Sequence, residues 1–184
     1  MDALTLLAQR NSAPRLTEPG PTVEDLQTML RCALRAPDHG YLRPTRFLTI
    51  ENDRRAALGE LFAQALVTRN PTAPTDEIEK NRQAPLRAPL IIVVIARLQA
   101  NPKIPTIEQR LTAGCAAHSL LLAAQALGFG AIWRTGANSY DPVVRTGLQL
   151  TEDEEITGYI YVGTASAPAK PIPQLDPTEF AQAW

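Results

Sequence analysis

The stretch GFGAIWRTG, residues 128–136, decides how this chain is read. Its first two glycines are spaced as in a dinucleotide-binding loop, and Arg134 follows closely. Such a loop needs a strand before the glycines and a helix after them, so that a pyrophosphate meets the helix N-terminus. Here the order is reversed. A long helical pattern from about Thr106 to Leu127 comes first, and the apolar run AIWRT comes after it. The third glycine of the fingerprint is replaced by Trp133. The glycines therefore read as a helix stop, with Gly128 at the C-terminal cap, and a turn.

The surrounding pattern supports a fold other than a doubly wound sheet. The helix ahead of Gly128 carries AGCAAHSLLLAAQA, small or apolar all the way round, which predicts burial on every side and, in a chain of this size, a subunit interface. LIIVVIAR (90–97) is apolar and rich in β-branched residues, as expected of a central strand covered on both faces. RFLTIE (46–51) reads as a strand with Phe47 and Thr49 on one side, and ITGYIYVGTA (156–165) as another. Residues 2–9 form a short apolar helix. A second begins at the N-cap Thr22, places Leu26, Met29, Leu30, Ala33 and Leu34 on one face, and is ended by Pro37. A third covers about 53–68, with Leu58, Leu61, Phe62, Ala65 and Leu66 buried, and short helices start after Thr75 and near DPVVRTGL. The acidic run TEDEE (151–155) reads as a solvated loop. The irregular mixture of helices and strands indicates an α+β class.

Composition narrows the function. The 184 residues suit one domain, 1–184, and 45% hydrophobic with 20% charged residues is an ordinary globular balance. A net charge of −1 gives no footprint for nucleic acid or an anionic membrane. Two cysteines far apart in sequence suggest no disulfide framework, and MDALTLLAQRNS lacks the features of a signal peptide, so a cytoplasmic location is expected. No Walker loop, G-x-S-x-G elbow or metal-ligand spacing is present. His118, inside the apolar helix, reads as a core or interface histidine. The proline-rich tail SAPAKPIPQLDPTEFAQAW is expected to lie along a surface, with Phe180 and Trp184 as apolar anchors for a partner subunit.

Taken singly, the polar candidates have bland readings. Trp133 reads as a core tryptophan, Arg134 as a surface arginine, Arg35 as a last-turn cation and His39 as an exposed turn residue. Arg10 and Ser12 are more suggestive, because a guanidinium, a hydroxyl and free backbone N–H groups at a helix-to-loop junction can hold a phosphate.

The order of MDALTLLAQRNSAPRL, LRCALRAPDHGYLRPTRF, RAPLIIVVIA, AGCAAHSLLLAAQALGFGAIWRTGA and GYIYVGT resembles the flavin-dependent nitroreductases, and is most similar to their short bacterial subgroup, over essentially the whole chain. The resemblance implies a nitroreductase-like fold with a mixed or antiparallel central sheet flanked by helices, in an intertwined homodimer with an extended C-terminal tail. It implies FMN at the subunit interface, with Arg10, Asn11 and Ser12 on the phosphate side, Arg35 and His39 contacting the cofactor after the second helix, and Trp133, Arg134 and Thr135 closing the site from the other subunit. It also implies nicotinamide binding at Ala123, Ala124, Gln125, Ala126, Leu127 and Gly128. NADH or NADPH would reduce the flavin at N5, which would then reduce a nitroaromatic, quinone or related acceptor in a ping-pong cycle without a protein nucleophile. The alternatives are an FMN store or sensor with little turnover, and a flavin-free interaction module. Two departures stand out: Asn11 replaces a usual arginine, and Arg43-Pro44-Thr45 replaces a usual Gln-Pro-Trp.

Overall fold

The structure, a computed structural model, describes residues 2–184. Helix α1 (Ala3–Ala8) is capped by the Asp2 carboxylate, and β1 (Leu16–Thr17) follows. Helix α2 (Val23–Ala33) starts at Thr22 with a reciprocal capping box: the Thr22 hydroxyl accepts from the Asp25 N–H, and the Asp25 carboxylate accepts from the Thr22 N–H. Then come β2 (Thr45–Glu51), α3 (Asp53–Arg69), α4 (Thr75–Gln83), β3 (Leu90–Arg97), α5 (Thr106–Ala126), β4 (Gly130–Arg134), α6 (Pro142–Gly147) and β5 (Glu154–Ala165).

All strand pairings are antiparallel. The order is β2–β3–β5, with β4 and β1 following one another along the far side of β5. Strand β3 is central, and its alternating side chains feed two cores. Leu90, Ile92 and Val94 pack with Met29 and Ala33 of α2 and with the inner face of α5, while Ile91, Val93 and Ile95 pack with Leu58, Phe62 and Ala65 of α3. This two-sided burial is why the strand reads as a continuous apolar run, each fully buried Ile or Val being worth about 1.5–3 kcal/mol.

Three expectations change. Helix α2 ends at Ala33, four residues before Pro37, because the chain switches to shorter-range turn bonds (Arg35 N–H to Cys32 O, Ala36 N–H to Ala33 O) ahead of the proline. Leu34 is consequently 65% exposed and off the buried face, and Arg35 lies beyond the helix. Helix α5 is not buried on every side within one chain. The sheet covers one face, while Ile107, Leu111, Cys115 and His118, spaced as a helical stripe, remain exposed on the other. The acidic run is not a uniformly solvated loop, since β5 begins inside it and carries Glu154 into the interior. The residues from 166 onward run without regular structure apart from one short turn, and Phe180 and Trp184 are exposed. No described helix is long and apolar enough to cross a membrane.

Candidate functional site

The reversed order around Gly128 is what builds the site. Gly128 takes φ +88°, the left-handed conformation that ends α5, and the Phe129 N–H returns to Ala124 O. Strand β4 then starts beside the N-terminal loop, whose Ala13 N–H donates to Ala131 O at 2.9 Å. Gln125 locks the loop from the helix side: its Oε1 accepts from the Asn11 N–H (3.2 Å) and its Nε2 donates to Gln9 O (3.2 Å).

The result is a cleft of about 390 Å³ lined by Asn11, Ser12, Arg15, Gln125 and Lys170, among others, with no carboxylate in its wall. Arg10 donates to the Ser12 hydroxyl at 3.3 Å. Asn11 does not replace the charge of an arginine, but its Nδ2 donates to Lys170 O at 2.6 Å and ties the C-terminal tail to this wall. Arg15 and Lys170 are cations that local sequence reading missed. Their common location depends on a contact between the two ends of the chain.

His39 and Arg35 stand elsewhere. His39 Nδ1 lies 2.6 Å from Glu108 Oε2 in the first turn of α5, and the neighbouring Pro37 O accepts from the Thr112 hydroxyl at 2.8 Å. Asp38 secures the loop by accepting from the N–H groups of Leu42 and Arg43 (3.2 and 2.8 Å), which supports positive φ at Gly40, Tyr41 and Arg43. From Glu108 to Gln125 the helix rises about 25 Å. Within one chain, therefore, the His39 loop and the Arg10–Ser12 loop lie at opposite ends of α5.

Trp133 and Arg134 are brought to β4 but to opposite faces of it, as adjacent strand residues must be. The Trp133 ring packs toward α5, with its Nε1–H donating to Thr157 O at 3.3 Å. Arg134 turns to the other side, over the Tyr161 ring at 5.7 Å, into a second cavity that Thr135 also lines. The sequence GYIYVG carried a usable signal here, since Tyr159 and Tyr161, two apart in a strand, must share this face. The stretch Ala123–Gly128 has several of its polar groups engaged. Its carbonyls at Ala123, Ala124 and Gln125 accept helix-ending bonds, and the Gln125 amide holds the N-terminal loop. His118 is exposed rather than buried in the core. Among the described residues no cluster of His, Cys, Asp or Glu is placed to hold a metal.

Similarity to known proteins agrees with this architecture. The solved structure of a nitroreductase-like family protein from Bacillus cereus superposes with a TM-score of 0.86 at 20% identity, covering 100% of this chain and 96% of that one. A Desulfovibrio desulfuricans protein named "putative nitroreductase" and solved in complex with FMN superposes with a TM-score of 0.77 at 22% identity, covering 100% and 98%. The fold is that of the nitroreductases. The Nitroreductase family model matches residues 7–164, and the chain belongs to this family. It is 45% identical over 183 residues to the Escherichia coli K12 protein named "Putative NAD(P)H nitroreductase YdjA", covering 98% of each chain. It is 36% identical over 171 residues to a like-named Haemophilus influenzae protein, covering 92% of each.

Proposed function

We propose that this chain is the subunit of a homodimeric, FMN-dependent oxidoreductase that takes electrons from NADH or NADPH and delivers them to nitroaromatic, quinone or related acceptors. The observation that carries this reading is the carboxylate-free cleft at Asn11 and Ser12, found in a chain of the nitroreductase family. Its lining fits a phosphate dianion: the Ser12 hydroxyl, the Asn11 amide and the charges of Arg15 and Lys170, with the Arg10 guanidinium hydrogen-bonded to Ser12 beside it. In this reading Arg10, Asn11 and Ser12 hold the phosphate, and Trp133, Arg134 and Thr135 border the cofactor along β4, about 10 Å of strand beyond Ala131.

The division between subunits follows from α5. A two-fold axis across its exposed face sets the partner's helix in reverse, so that the Arg35 and His39 end of one copy meets the Arg10 end of the other. This differs from supplying Trp133–Thr135 from the partner, because β4 and the Arg10–Ser12 loop are hydrogen-bonded within one chain. Bound FMN supplies the electron-transfer chemistry, in alternating half-reactions with donor and acceptor. The side chains bind, orient and balance charge, and the proton consumed by the acceptor comes from water. The stretch Ala123–Gly128, assigned by resemblance to the nicotinamide, acts in this reading through Gln125, which holds the phosphate loop in place.

The test is the visible absorption spectrum of the purified protein before and after anaerobic NADPH. Flavin bands that bleach support the reductase. Bands that persist with NADPH and NADH but bleach with a chemical reductant indicate a flavin store or sensor. A protein that is colourless and takes up no added FMN overturns the reading. Arg10→Ala is expected to weaken FMN binding by more than about 1.5 kcal/mol while leaving the fold intact, measured by fluorescence titration.

A further inference from the structure

We propose that the cavity between α4, β4 and β5 is a second ligand site, which takes the oxyanion of a small molecule, a carboxylate or a phosphate. Its volume is about 260 Å³, and its lining combines the aromatic rings of Phe62, Tyr159 and Tyr161 with the cations Lys80, Arg87 and Arg134, the last lying over the Tyr161 ring. Glu77 is the one carboxylate in its lining, so positive charge is in excess. The volume suits a ligand of one ring or fewer, below the usual range of drug-sized sites.

Three observations point to a missing acceptor. The Nε of Arg134 is buried without a hydrogen-bond partner, a costly arrangement unless something outside the chain accepts from that guanidinium. Lys80, Arg87 and Arg134 gather at one cavity, and no ion pair among the described residues neutralises any of the three. The wall is also preorganised. Asn138 accepts from Arg69 Nη1 (3.1 Å) through its side chain and from the Tyr159 hydroxyl (3.0 Å) through its carbonyl, and its Nδ2 donates to Asn81 Oδ1 (3.2 Å). Burial raises the Tyr161 hydroxyl to about 12, while Arg134 and Arg87 pull it downward, consistent with both guanidiniums standing close to that ring.

The cavity shares no lining residue with the Asn11–Ser12 cleft, but Arg134 and Thr135 also border the cofactor in the proposed function, so the test separates a ligand of its own from the flavin. Phosphate could belong to the flavin or to a separate ligand, and one experiment separates the sources. Inorganic phosphate and benzoate are titrated calorimetrically at low ionic strength into FMN-free and FMN-saturated protein. Saturable binding at the cavity, apart from any phosphate held at the Asn11–Ser12 cleft of the FMN-free protein, is expected to weaken about tenfold in Arg87→Ala and further in the Lys80→Ala/Arg87→Ala double variant. Both residues are exposed, so these substitutions leave the core untouched. Binding that these substitutions weaken and that survives FMN saturation assigns the cavity to a free anionic ligand, and binding that they weaken and that FMN abolishes assigns it to the oxyanion of the flavin. Failure of the wild-type protein to bind either probe, or equal binding by the double variant, overturns the proposal.

Discussion

Glu154 shows how far one residue can depart from its local context. It sits in a run of acids, yet it is 5% exposed and accepts two bonds from Arg46, at 2.5 and 2.6 Å, with Arg97 nearby at 3.8 Å. The hydrogen bonds from Arg46 outweigh burial and hold its carboxyl below the ordinary value of 4.5. A depressed carboxylate stabilises the fold at pH above its unfolded value, and that contribution is lost as pH falls through the lower folded value. Glu154→Gln is therefore expected to cost about 2–3 kcal/mol at pH 7, by stranding Arg46, and to make the acid limb of the stability profile shallower. Urea unfolding at pH 7 and pH 4 checks both; an unchanged acid limb would remove Glu154 from the account. Nothing in TEDEE distinguishes the buried acid from its neighbours, because its partner is 108 residues away in sequence.

Helices and strands were more legible than the faces they present. The alternation-free apolar run of β3 and the stripe of α3 follow from local period, and both appear where the pattern puts them. Contacts between elements are another matter. Gly59 of α3 lies so close to α4 that a Cβ there would stand 2.1 Å from Arg82 O. A glycine inside a helical pattern reads as a mild weakness from sequence, but here it lets two backbones approach. Gly59→Ala, favourable by helix propensity alone, is expected instead to destabilise by about 1–3 kcal/mol, because the clash is with backbone and cannot be relieved by a rotamer. A thermal shift measurement decides: a raised Tm would mean that the two helices are not held at this distance.

Assembly turns on the uncovered side of α5. Ile107 and Leu111 are 56% and 61% exposed, in line with Cys115 and His118, on the helix whose other face carries the core. If a second copy covers this stripe, as in the proposed dimer, a charge at its centre is expected to be left desolvated. Leu111→Glu should then yield a folded monomer by light scattering, with native helical content by circular dichroism and FMN affinity reduced at least about tenfold, since a charge at an interface centre typically costs several kcal/mol. A dimer that persists with unchanged FMN affinity would place the interface elsewhere.

The all-round apolar composition of AGCAAHSLLLAAQA already announced that this helix has no polar face, and the rejection of a Rossmann loop at Gly128 needed only the order of helix, glycines and strand. Element types, the α+β class and the Arg10–Ser12 candidate depend on periodicity and on neighbours within a few residues, which a sequence records directly. The sequence could not tell which side of β4 receives Trp133 and which Arg134, that Gln125 fastens a loop 114 residues away, or that Lys80, Arg87 and Arg134 surround one cavity. Those facts depend on strand register and on the packing of elements distant in the chain, and a one-residue slip of β4 would exchange its two faces.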